Sequence, residues 1–164
     1  MRRRILDWLG IPSPFGAAEF RARERFRRDY VRLARSLDER VEFETVLDVG
    51  CANGFLLEEL RLRGHRVAGI EVSPEVHEVL PPELSEVVEV GDFTAAQGAW
   101  DLVISIEVAE HIAPERSVEL VETLASRARR AIFFTAAPPG QRGRGHINCR
   151  PHQEWLGGFE KRGW

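Results

Sequence analysis

Residues 46 to 57 read Val-Leu-Asp-Val-Gly-Cys-Ala-Asn-Gly-Phe-Leu-Leu, a hydrophobic run that passes through a turn of small residues directly into a helical apolar pattern. A strand, a tight corner and a helix in immediate succession fit a β-α unit far better than a helical bundle or a β-sandwich. Gly50 and Gly54 let the backbone turn sharply and come close to a ligand, and the free N–H groups of the helix start favour a carboxylate or phosphate. The same alternation continues downstream. Strands are expected at 45–49, 66–71, 86–90, 100–106 and 130–135, with helices at 54–63, 74–80, 114–127 and 151–161 between and after them. Continuously apolar strands are buried on both faces, so the fold class is α/β, a doubly wound and mostly parallel sheet that binds ligands at the carboxyl ends of its strands.

Upstream of this alternation the character changes. Residues 17–38 read as one helix, with Phe26, Tyr30, Leu33 and Leu37 on a core-facing stripe and Arg21, Arg25, Arg28, Arg32 and Arg35 on a basic one. Residues 1–40 hold eleven arginines against six acids, whereas the remainder holds twelve basic and twenty acidic residues. The expected organisation is therefore a basic amphipathic helical extension, 1–40, attached to a ligand-binding domain, 41–164. The basic stripe could follow nucleic-acid phosphates, but intervening acids at helical spacing make a solvated face the stronger reading. At 164 residues and 43% apolar content, with 30% charged residues interrupting every run, no membrane span is expected. Asp7, Pro12 and Pro14 break the apolar stretch after Arg2–Arg4, which argues against a signal peptide, and Cys51 and Cys149 are too few for a disulfide framework. A cytoplasmic protein is the expectation.

The corner is a poor dinucleotide site, because Ala52 stands at the second glycine of Gly-x-Gly-x-x-Gly and Leu57 where the third belongs. Asp48-Val49-Gly50-Cys51-Ala52-Asn53-Gly54 instead resembles the first motif of class I S-adenosylmethionine-dependent methyltransferases, with alanine at its middle glycine. Three further segments match that superfamily in order. Glu71 ends the second strand 21 residues after Gly50, Asp92-Phe93 follows the third, and residues 101–112, Asp-Leu-Val-Ile-Ser-Ile-Glu-Val-Ala-Glu-His-Ile, look like the fourth-strand motif of the small-molecule and quinone-biosynthesis branch. The resemblance implies a Rossmann-like sheet, here of about five strands in the order 3-2-1-4-5, and S-adenosylmethionine as cofactor; the family's usual C-terminal β-hairpin is expected to be lacking. It places Asp48, Gly50, Cys51, Ala52 and Gly54 around the amino-acid end of the cofactor, with Asp48 organising the loop. Glu71 and Val72 fall beside the ribose, Asp92 and Phe93 beside the adenine, and Ile106 at the end of the fourth strand.

The implied reaction is methyl transfer by in-line displacement to an oxygen or nitrogen of a small-molecule or glycan-linked acceptor. A sulfonium is already an activated leaving group, so alignment matters most and a base is optional. His111, Glu107 and, from the loop after the fifth strand, His146 are the candidate catalytic residues facing the acceptor. With Glu110 they resemble the Mg2+ or Mn2+ site of methyltransferases acting on the 2′-hydroxyl of small RNAs. The same Glu-x-x-Glu-His pattern occurs in metal-free members, and no metal is expected. Two alternatives stand beside this reading: an RNA 2′-O-methyltransferase-like enzyme, and an inactive cofactor-binding module. The absent hairpin leaves the fifth strand exposed, an edge that invites a homodimer or a partner chain.

Overall fold

A computed structural model describes residues 15–164. The short helical turn and loop expected over residues 1–16, and the signal-peptide question, fall almost wholly outside them. The chain opens with α1 (Ala17–Ala22), a 3-10 turn (Arg23–Phe26) and α2 (Arg27–Arg40). It then alternates through β1 (Thr45–Val49), α3 (Phe55–Leu62), β2 (Arg66–Glu71), β3 (Val88–Val90), β4 (Trp100–Ile106), α4 (Ser117–Arg127), β5 (Ala128–Thr135) and α5 (His152–Glu160). The five strands form one parallel sheet, as the apolar patterning predicts, in the order β3-β2-β1-β4-β5 that the resemblance implies. Among the described residues no helix is long and apolar enough to cross a membrane.

Two core layers flank the sheet. On one face Leu56, Leu57 and Leu60 of α3 pack with Ala34 and Leu37 of α2 over Val46, Leu102 and Ile104. On the other, Leu120, Val121 and Leu124 of α4 and Trp155 and Phe159 of α5 cover Leu47, Val49 and Val103. Asp48 is hemmed between Gly69 of β2 and Ile104 of β4, so the β1 terminus lies between the two strands that carry the other site residues.

Several expected elements are cut differently. The helix expected over 17–38 is interrupted by the 3-10 turn, whose tighter winding shifts the phase of its faces. Phe26, expected on the core stripe, is accordingly 42% exposed, while Phe20, which was not on that stripe, is buried. The third strand begins at Val88 rather than 86, because the Val87 N–H closes a turn onto the Leu84 carbonyl. The helix expected over 74–80 is a 3-10 helix throughout, Pro74–Glu78, and the one expected from Pro114 opens with a 3-10 turn before α4 proper starts at Ser117.

Candidate functional site

The corner between β1 and α3 is built by hydrogen bonds from three successive amides. The Gly50 and Cys51 N–H groups both donate to the Ile70 carbonyl, and the Ala52 N–H donates to Glu71 Oε2 at 3.0 Å. Gly50 and Gly54 have φ of +83° and +71°, conformations that side chains resist. A Cβ on Gly50 would also run into the Val108 side chain, and one on Gly54 would come within 2.7 Å of Leu84. Ala52 shares the left-handed region at φ 48°, and so does Glu107 at φ 53°, at the ends of β1 and β4. Strain stored at two points facing one cavity is a mark of a functional site.

Glu71 terminates β2 with its carboxylate turned back to this corner. Its Oε1 accepts the Ser73 N–H at 3.0 Å while Oε2 holds Ala52, so the side chain is fixed and each oxygen keeps a further lone pair. Burial raises its pKa above the ordinary carboxylate value, against the lowering effect of the two N–H donors and of Arg23. Asp48, buried in β1, is pushed up to about 7 by burial and then by the neighbouring Glu71 charge. Cys51 contributes only its backbone here. Its side chain lies in the core against Gly69, and burial pushes its thiol pKa up.

The corner opens on a cavity at the carboxyl ends of the central strands, the place where the strand order reverses. Of the residues expected at the site, Gly50, Ala52, Glu71, Val72, Asp92, Phe93, Ile106, Glu107 and His111 line it. Asp48, Cys51, Gly54 and His146 stand behind the wall. At the far end Asp92 accepts two hydrogen bonds from Thr94, and the Arg116 guanidinium grips both its oxygens at 2.7 and 2.8 Å. Burial acts to raise the Asp92 pKa, but these donors outweigh it and hold the carboxyl below its usual value.

Arg116 lies 4.4 Å from the Phe93 ring centroid and lines the cavity, a role that no local pattern announces. Phe15, Phe20 and Arg23 are equally unannounced, and they line it from the N-terminal segment. Asn53 explains their placement: its side-chain amide donates to the Phe20 carbonyl at 3.0 Å, tying that segment to the glycine corner. Of the expected basic stripe, Arg21, Arg32 and Arg35 are engaged with Glu78, Asp29 and Glu39.

At the opposite end Glu107, Glu110, His111 and His146 come together. The loop after β5 is sewn to the turn after β4: the Ile147 and Asn148 N–H groups both donate to the Glu110 carbonyl, and the Asn148 side chain donates to Ala109 O and Ser117 Oγ. This brings the His146 ring to 5.0 Å from that of His111. Burial lowers the His111 pKa, with the Gly145 carbonyl opposing and His146 reinforcing, so its imidazole is neutral at pH 7. Glu107 is held by the Thr135 hydroxyl at 2.8 Å, and Glu110 is pushed to about 7 by burial and by the Glu107 carboxylate.

A doubly wound parallel sheet with a strained small-residue corner, a buried carboxylate anchored against it and an apolar-walled cavity at the switch point defines a Rossmann-like α/β domain with a ligand site at its strand ends. The profile of a family described as a methyltransferase domain matches residues 18–163, and the chain belongs to that family. It is 37% identical over 101 residues to the magnesium-protoporphyrin O-methyltransferase of Rhodobacter capsulatus, covering 57% of this chain and 45% of that protein. With the ubiquinone biosynthesis O-methyltransferase of Chromobacterium violaceum it shares 35% over 100 residues, 55% of this chain and 43% of the relative. These matches span less than half the length of either relative. In fold it is similar to a SAM-dependent methyltransferase from Archaeoglobus fulgidus, at TM-score 0.71 and 21% identity over 88% of this chain and 73% of the other. It is also similar to the magnesium protoporphyrin IX methyltransferase of Synechocystis PCC 6803, at TM-score 0.61 and 24% identity over 84% and 70% of the two chains.

Proposed function

We propose that this chain binds S-adenosylmethionine and transfers its methyl group to an oxygen of a small-molecule acceptor. The observation that carries the reading is the Glu71 carboxylate, anchored by Ala52 and Ser73 and presented to the cavity with lone pairs to spare for a pair of ribose hydroxyls. The rest of the wall fits the same cofactor. Phe93 and the Asp92–Arg116 pair suit an adenine, and Arg23 supplies a cation for a carboxylate near the glycine corner. Bound, the cofactor supplies an electrophilic methyl on a sulfonium, so the protein need only align the acceptor behind it. Oxygen is favoured as the accepting atom by the two relatives, both O-methyltransferases.

Glu107 and His111 line the acceptor end, where a hydroxyl loses its proton as it is methylated. In the metal-free protein His111 is the group suited to receive it. Its Nδ1 faces the Gly145 carbonyl at 3.0 Å and so carries the hydrogen, which leaves the Nε2 lone pair free. His146 stands behind His111 and adds to the lowering of its pKa that burial causes. Calorimetric titration with S-adenosylmethionine and S-adenosylhomocysteine tests the reading: one saturable site for each is expected, and folded protein that binds neither removes it.

A further inference from the structure

We propose that Glu110, His111 and His146 hold one divalent transition-metal ion, with Glu107 beside it, at the acceptor end of the cavity. A ligand atom from each of the three residues lies within 4.8 Å of the others, close enough for one ion to bridge them after small side-chain rotations. Glu110 is wholly buried, and neither of its carboxylate oxygens meets a hydrogen-bond donor among the described residues. Buried carboxylates are normally paired with a donor or a cation; beside this one stand a second carboxylate, Glu107, and the two imidazoles, a cluster that a cation would neutralise.

Hydrogen bonds fix the tautomers of the two histidines. His111 Nδ1 lies 3.0 Å from the Gly145 carbonyl and His146 Nδ1 3.1 Å from the Gln141 carbonyl. Carbonyls only accept, so both Nδ1 atoms carry hydrogen and both Nε2 atoms keep their lone pairs, the outer hydrogen-bonding that metal-ligating histidines use. The donors come from segments 35 residues apart, held in place by the paired bonds of Ile147 and Asn148 to the Glu110 carbonyl. That anchoring makes the site a built one rather than a chance meeting of surface groups.

Two imidazoles with carboxylate oxygen suit Mn2+, Co2+ or Zn2+ better than Mg2+ or Ca2+, which prefer all-oxygen sites. His111 and Glu107 also face the cavity, so an ion held here could take an acceptor oxygen as a further ligand. That use rests on the methyltransferase reading, whereas metal binding itself does not. With an ion bound, the His111 lone pair would be committed to it; the ion would lower the pKa of a hydroxyl bound to it, and the proton released on methylation would pass to the Glu107 carboxylate or to water.

The test is titration of tag-free, chelator-stripped protein with Co2+, read by its visible absorption, and metal analysis after dialysis against Mn2+, Co2+ and Zn2+. One ion per chain is expected, with affinity falling at least ~10-fold in His146→Gln and in Glu110→Gln. Should Glu110→Gln fail to fold, His146→Gln decides. No saturable Co2+ spectrum, or an unchanged affinity in folded His146→Gln, overturns the site. S-adenosylhomocysteine calorimetry on the same stripped protein separates the two proposals: nucleoside binding without metal binding removes only the metal site, and the converse removes only the cofactor reading.

Discussion

Arg116 and Asp92 meet as a two-pronged ion pair, Nη1 on Oδ2 at 2.7 Å and Nη2 on Oδ1 at 2.8 Å, with the guanidinium lying over the ring of Phe93. The pair adds to the hold that Thr94 already has on one Asp92 oxygen, and it does so from the turn before α4, 24 residues further along the chain. Arg116→Ala should cost about 1–2 kcal/mol in urea denaturation at pH 7, since both side chains are partly exposed. Arg116→Lys should recover only part of that, as an ammonium cannot make the fork. The Asp92 pKa is lowered on folding, so the stabilisation is present above the unfolded value near 4 and is lost as pH falls through the folded one. Wild type and Arg116→Ala should therefore converge in stability as the pH falls from the unfolded value through the lower folded one.

Glu71→Ala leaves the Ala52 and Ser73 N–H groups without their acceptor and removes the proposed sugar contact. A loss of about 2–3 kcal/mol in S-adenosylhomocysteine affinity is expected, roughly 30- to 150-fold in Kd by calorimetry. Glu71→Gln, which keeps one acceptor oxygen, should fall between. Equal affinity in all three proteins would remove Glu71 from the site.

Gly50→Ala meets two penalties at once, a positive φ and the Val108 side chain. Destabilisation of about 2–4 kcal/mol is expected. Adding Val108→Ala should relieve the steric part and leave the backbone part, so the double variant is expected to be more stable than Gly50→Ala alone.

Asp48→Asn should become more favourable as pH rises. The folded carboxyl titrates at about 7, above its unfolded value, so the folded state retains a proton that the unfolded chain releases. Wild-type stability is unaffected by this group below pH ~4, declines between ~4 and ~7, and is level above. The melting-temperature difference, variant minus wild type, is expected to grow across that window and then hold steady; a difference independent of pH would place Asp48 in a more solvated setting.

The corner was legible because it is local. Strand, glycine turn and helix follow one another within residues 46–57, and the conformational demands on Gly50 and Gly54 are written in their own identities. The β-α repetition announced a parallel sheet, while its strand order and the place of Glu71 beside the corner were legible only through the resemblance of four motifs to a known superfamily. Phe26 was misplaced because a helical stripe assumes unbroken winding, and the 3-10 turn at Arg23–Phe26 shifts it.

By itself, then, the sequence determined the parallel character of the sheet and the backbone cradle, products of apolar strand runs and of contacts between near neighbours, while the β1–β4 pairing that makes the switch point joins strands that are not successive. Only the tertiary structure decided what walls the cradle: Phe20 brought in by Asn53, Arg116 clamped on Asp92, and His146 drawn to Glu110 and His111. Those meetings depend on how separate segments dock in space, and docking leaves no period along the chain, because the residues that touch are set by the packing of whole helices and loops and not by the spacing of their letters.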